Sequence, residues 1–122
     1  MSLVKGKREM EVVRGPDWLF VRLRTDPLRL DDVAERLWAL LNKHFVYRLV
    51  LEMDEIEFLP SVLMGQLVML QKRILQHDGA LRLCGLSPQC EEALRMCRLD
   101  HALAHFDTRA DAVRGGALAK PR

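Results

Sequence analysis

No apolar run in this sequence is long enough to cross a membrane, and no secretory signal opens it. Insertion into a bilayer is therefore not expected, and the cytoplasm is the expected compartment. The three cysteines cannot all be paired and none forms a CxxC motif, which argues against a disulfide framework and for reduced thiols. Charge of one sign is nowhere concentrated. Nineteen lysines and arginines are interspersed with seventeen acids, for a formal net charge of +2, so the basic stripe that a nucleic-acid partner would require is missing. Internal repeats and low-complexity segments are absent too. Closed zinc sites need four ligands at tighter spacing than these cysteines have, and His101 and His105 lie in a stretch without helical periodicity. Asp54, Glu55 and Glu57 form an acidic loop with no spaced histidine, serine or lysine to serve as a proton-transfer partner. No metal, no cofactor and no enzymatic activity is expected.

What is present suffices for one domain. At 122 residues, 49% hydrophobic and 30% charged, the chain can bury a core without staples, and residues 1–116 are expected to form a single unit with a flexible tail over 117–122. The organising stretch is RLVLEMDEIEFLPSVLMGQLVMLQKRILQH, from Arg48 to His77. Leu49, Val50 and Leu51 form a β-type run too short for a helix, followed by a polar loop. A helix then places Leu63, Leu67, Leu70 and Ile74 on one face, with Gln66, Gln71, Lys72, Arg73 and Gln76 on its polar side. Leu59-Pro60-Ser61 is the hinge, with Ser61 expected as N-cap.

The other elements follow from the same signals. A short edge strand is expected over residues 9–13, a turn at Gly15-Pro16-Asp17, and a strand over residues 18–24. Asp31 can cap a helix whose stripe is Val33, Leu37, Leu40 and Leu41, flanked by Ala34 and Trp38. His77-Asp78-Gly79 ends the central helix, with Gly79 suited to a left-handed C′ position. A buried strand over residues 80–84 leads into a helix capped by Ser87 with Pro88 in its first turn, whose stripe is Cys90, Ala93, Leu94 and Cys97. A short strand over residues 103–106 and a last helix begun by Thr108, with Asp111 three positions on, complete the chain. The order β, β, α, β, α, β, α, β, α gives an α/β fold: a mixed, mainly parallel sheet of four to five strands with about four helices.

These residues resemble the STAS domain family, the bacterial antagonists of anti-sigma factors and related domains of anion transporters. The resemblance runs from Trp18 to Val113. It is carried by Leu49-Val50-Leu51-Glu52-Met53, by the loop and helix start from Ile56 to Leu67, by the stretch from Asp78 to Pro88, and by Leu99-Asp100 with Phe106-Asp107-Thr108 to Ala112. In regulatory members the helix begins Asp-Ser-Ser/Thr-Gly, and the first serine is phosphorylated by a partner kinase that is itself an anti-sigma factor. Ser61 falls on that serine and Gly65 on a later glycine, whereas Pro60, Val62 and Leu63 replace the aspartate, the second hydroxyl residue and the first glycine.

The resemblance makes Ser61 a phosphoacceptor candidate, while the residues alone explain it as a helix cap. It implies a non-enzymatic regulatory module that docks a protein partner through the start of this helix, an anti-sigma factor kinase being the expected class; Val62, Met64 and Met69, apolar residues beyond the core stripe, are the expected contacts together with Glu57, Pro60 and Ser61. Its alternative implication is an accessory subunit of a membrane lipid-transport ATPase complex.

Overall fold

The structure, a computed structural model, describes residues 10–24 and 30–115. Glu9, where the first strand was expected to start, and the expected tail over 117–122 lie outside the described residues. β1 (Met10–Arg14) and β2 (Leu19–Arg24) form an antiparallel hairpin in which Met10 pairs with Leu23 and Arg14 with Leu19. The turn closes with Gly15 N–H donating to the Trp18 carbonyl at 2.8 Å. β2, β3 (Arg48–Glu55), β4 (Ala80–Cys84) and β5 (His105–Phe106) then run parallel, and the five strands lie in the order β1-β2-β3-β4-β5.

Alternation divides the sheet into two unequal faces. Leu19, Val21 and Leu23 of β2, Leu49, Leu51 and Met53 of β3, and Leu81 and Leu83 of β4 point into the main core. There they meet α1 (Val33–His44), α2 (Ser61–Gln76) and α3 (Pro88–Met96) through Leu37, Leu41, Leu63, Leu67, Leu70, Ile74, Cys90 and Leu94. The opposite face is covered by the short α4 (Arg109–Arg114), whose Ala112 packs with Trp18, Val50 and Cys84. β3 is thus buried on both sides, which is why its sequence reads as an unbroken apolar run rather than an alternation.

On that second face sits the one charged residue buried among those described, Glu52. Its Oε1 accepts from Arg22 Nη2 at 3.1 Å, and its Oε2 from Arg109 Nε, so a strand neighbour and α4 both converge on it. Two guanidinium groups replace the water the carboxylate loses, and they tie α4 to the middle of the sheet.

Several local expectations change. The expected first-helix cap, Asp31, lies in a 3-10 turn (Leu30–Asp32), and Asp32 is the N-cap of α1. The Asp32 carboxylate accepts from Arg36 Nε at 2.9 Å, and the Ala34 N–H donates to Gln66 Oε1 of α2 at 2.9 Å. A neighbouring helix thus satisfies part of the first turn of α1. At the end of α2 it is Asp78, φ 58°, that adopts the left-handed conformation, not Gly79. Glycine is needed at 79 for closeness: a Cβ there would stand 1.9 Å from the Tyr47 carbonyl oxygen. The strand expected over 103–106 pairs only at His105–Phe106, with Leu103 buried in the main core.

Ser87 Oγ accepts from Cys90 N–H and Thr108 Oγ1 from Asp111 N–H, each at 3.1 Å, as the cap signals indicated. Cys84 and Cys90 are buried, but Cys97, expected in the apolar stripe, is exposed because it has become the C-cap of α3. Burial pushes the Cys84 thiol up to about 12, so it is protonated and unreactive at neutral pH. Native protein should therefore release one fast thiol equivalent to an aromatic disulfide reagent, with the other two appearing on denaturation. Three fast thiols, or none, would show that the packing of α3 is misplaced.

Candidate functional site

The candidate site is the junction of β3 and α2. β3 ends in Asp54 and Glu55, both exposed, and the Ile56 N–H turns back to the Met53 carbonyl at 3.0 Å. Ile56 and Leu59 are buried in the main core, so the intervening Glu57 and Phe58 are held outward. A second anchor comes from α3, where Cys90 Sγ lies 3.4 Å from the Ile56 carbonyl oxygen and 3.6 Å from that of Glu57. A thiol is a weak donor, and here a buried one faces two loop carbonyls.

The residue before α2 is Pro60, with φ −65° and ψ 156°, and its carbonyl accepts the Met64 N–H at 3.0 Å. Pro60 is thus the N-cap and Ser61 the first helical residue, which corrects the expectation that Ser61 caps the helix. Proline's fixed φ suits the extended cap position, and its side chain offers no acceptor. The Ser61 side chain is exposed, and its hydroxyl has no hydrogen-bond partner among the described residues. The N–H groups of Ser61, Val62 and Leu63 precede the first helical hydrogen bond and point outward at the positive end of the helix. No acidic residue lies in that first turn.

Three exposed apolar side chains lie on the loop and helix that carry Ser61. Phe58 is 68% exposed, Val62 52% and Met69 56%, and Val62 and Met69, seven positions apart, share one side of α2. Met64 does not belong to this surface. It is only 6% exposed and packs in the main core, so its expected contact role is withdrawn. Phe58 was overlooked in the sequence although a signal existed. Phe58 and Leu59 are adjacent apolar residues in an extended segment, where only one of two neighbours can face inward. Glu57 and Pro60 are exposed at the rim, so of the expected contact residues all but Met64 are surface-accessible.

The remaining candidates are engaged or set apart among the described residues. Glu55 is ion-paired with Arg24 at 3.0 Å, and the Asp54 carboxylate lies against Gly85, where a Cβ would come within 2.7 Å. His101 is in a loop beside Asp100, whereas His105 is in β5 facing Glu91, so the two histidines serve different surroundings. Among the described residues no group of three His, Cys, Asp or Glu side chains could hold a metal ion, and no helix is long and apolar enough to cross a membrane.

The STAS domain model matches residues 18–112. The chain belongs to the STAS domain family. Solved structures superpose on this STAS domain over most of its length. TM1081 of Thermotoga maritima has a TM-score of 0.77 at 15% identity and covers 93% of both chains. An anti-sigma-factor antagonist (STAS) domain protein of Planctomyces limnophilus has a TM-score of 0.72 at 20% identity, covering 86% of this chain and 95% of that one. The Bacillus cell fate determinant SpoIIAA in its phosphorylated form has a TM-score of 0.63 at 13% identity, covering 86% and 96%. At these identities the likeness establishes the fold. No curated protein matches the chain.

Proposed function

We propose that this STAS domain is a non-enzymatic regulatory module of the cytoplasm that docks a partner protein through the start of α2. The observation carrying this reading is the exposure of three apolar side chains, Phe58, Val62 and Met69, on the loop and helix that carry the Ser61 hydroxyl, with the loop backbone pinned by Ile56, Leu59 and Cys90. Monomeric domains tend to leave such clustered apolar surface exposed where a partner covers it. Rigid backbone beneath it lowers the ordering cost of binding.

Ser61 is the proposed point of control. Because it makes no capping bond, its hydroxyl has no structural task that would keep it from modification. A phosphate there would meet three outward N–H groups and the positive helix end, which favours the phosphorylated state of the free domain. The same charge would have to be desolvated against Val62 and Phe58 under a docked partner, which disfavours the complex. The phosphorylated SpoIIAA among the similar structures is consistent with an STAS domain carrying such a group. With no base hydrogen-bonded to Ser61, transfer would be performed by the partner, a kinase of the anti-sigma factor class.

The test is capture of the partner from the native cell by wild type, Ser61→Ala and Ser61→Asp, each with its melting curve. Both variants should keep stability within about 0.5 kcal/mol of wild type, since neither removes a cap. Ser61→Ala should retain the partner and Ser61→Asp should lose at least tenfold in affinity. Equal capture by the Asp variant would move the docking surface away from α2. Recovery of a transporter ATPase in place of a kinase would leave the surface intact and change the partner class.

A further inference from the structure

The second face of the sheet is covered by a helix too short to hold itself. α4 has six residues, and an isolated helix of that length does not persist in water, so docking has to keep it formed. Yet docking buries only Ala112 of the six, where α1 and α2 each bury five residues. The rest of the hold is polar. Arg109 Nε donates to Glu52 Oε2, and Arg82 Nη1 donates to the carbonyls of Ala112 at 2.8 Å and Val113 at 3.3 Å. Arg109 also lies over the Phe20 ring, 4.5 Å from its centroid, with its side chain 44% exposed.

Each polar contact has a fallback on the sheet. Glu52 Oε1 accepts from both Nε and Nη2 of Arg22, at 3.3 and 3.1 Å, so the carboxylate keeps its β2 partner when Arg109 leaves. A buried acid stripped of a cation is costly, but departure of α4 would also return Oε2 to water. Arg82 can likewise stay over the Trp18 ring, 5.0 Å from its centroid, without the α4 carbonyls. The apolar loss is confined to Ala112 and to what it covers of Trp18, Val50 and Cys84. Freeing α1, α2 or α3 would instead open the main core. Segments with few buried apolar contacts open at the lowest free energy.

We propose that α4 is a latch, which undocks from the sheet as a unit while β1–β5 and α1–α3 stay folded, and that the Arg109–Glu52 pair sets how often it opens. The hinge is Asp107-Thr108, both exposed. The open form bares Trp18, Val50 and Cys84 on the face opposite α2, and a ligand of that face would shift the domain toward it by its preference for the open form. The latch is independent of docking at α2.

The two buried cysteines report on the two faces, because Cys84 packs with Ala112 of α4 and Cys90 lies in the main core. The test is slow thiol labelling of the full chain carrying Cys97→Ser, which removes the exposed thiol, with the labelled peptides assigned by mass spectrometry. Cys84 should be labelled at least about tenfold faster than Cys90, at a rate nearly independent of low urea, whereas the Cys90 rate should rise steeply with urea as global unfolding does. Arg109→Ala should speed Cys84 at least about tenfold, since the docked form alone contains the ion pair. Ile74→Val trims the main core, which docked and open forms share, so it should speed Cys90 severalfold and leave the Cys84 rate unchanged. Labelling of Cys84 no faster than Cys90, acceleration of Cys84 by Ile74→Val, or a Cys84 rate unmoved by Arg109→Ala would overturn the proposal.

Discussion

Gly79→Ala should lower the melting temperature by on the order of 10 °C, although it adds a single methyl group to a turn. The new Cβ would sit 1.9 Å from the Tyr47 carbonyl oxygen and 2.9 Å from Ile74 Cγ2. The carbonyl cannot yield, because it accepts the Ala80 N–H at 3.0 Å, at the beginning of the β3–β4 pairing. Either β4 separates from β3 at its first rung or the end of α2 lifts from the core. Overpacking of this kind costs about 1–3 kcal/mol where side chains can shift, and backbone against Cβ places this case at or above the upper end. Gly65→Ala is the informative contrast. Nothing lies within 4 Å of its Cβ position, and alanine is the better helix former, so that variant should gain about 0.5–1 kcal/mol. Thermal melts of the pair check both signs. A Gly79→Ala protein that melts like wild type would mean that the α2–β4 turn is wrongly placed.

Leu67→Asp should abolish cooperative unfolding altogether. Leu67 is fully buried at the middle of α2, between the sheet and the helices beside it. Truncating such a leucine to alanine already costs about 2–5 kcal/mol through lost burial and the cavity left behind. Aspartate adds an unpaired carboxylate, which costs several kcal/mol more or holds its proton at the expense of an unsatisfied hydroxyl. The sum is comparable to the whole stability of a domain this size, about 5–15 kcal/mol. Far-UV circular dichroism at 25 °C should show the Asp variant largely unfolded. A folded variant with wild-type melting would place the wrong face of α2 against the sheet.

The sequence was readable where one physical signal decided the outcome. Period and length separated the strand at Leu49-Val50-Leu51 from the helix bearing Leu63, Leu67, Leu70 and Ile74, and all of these residues are buried as that pattern required. Ser87 and Thr108 were recognisable as caps because nothing nearby competes for their hydroxyls. Where two residues could fill one role, side-chain preference picked one and the path of the chain the other. Ser61 was expected at the cap of α2, and Pro60 stands there. The chain enters through the proline, which leaves the serine outside the capping geometry and changes the meaning of the site. Met64 sits at a position that local periodicity assigns to neither face, and only the packing of α2 on its neighbours draws it into the core. The role of Gln66 in satisfying the first turn of α1 was invisible, because it acts across 32 positions of sequence. Glu52 is similar: an acid ending an apolar run looks like a strand terminus, and only the fold brings Arg22 and Arg109 to it.

The central claim is that a protein covers the start of α2. A photo-crosslinking amino acid placed at Val62 and, in a separate protein, at Leu75 tests it most directly. Both positions are exposed on α2, but Leu75 lies in its last turn, remote from Ser61. Irradiation in the native cell should give one discrete protein adduct from position 62 and none from position 75, with the adduct lost when Ser61→Asp is added. An adduct formed only at position 75, or one at 62 that is indifferent to Ser61→Asp, would contradict the account.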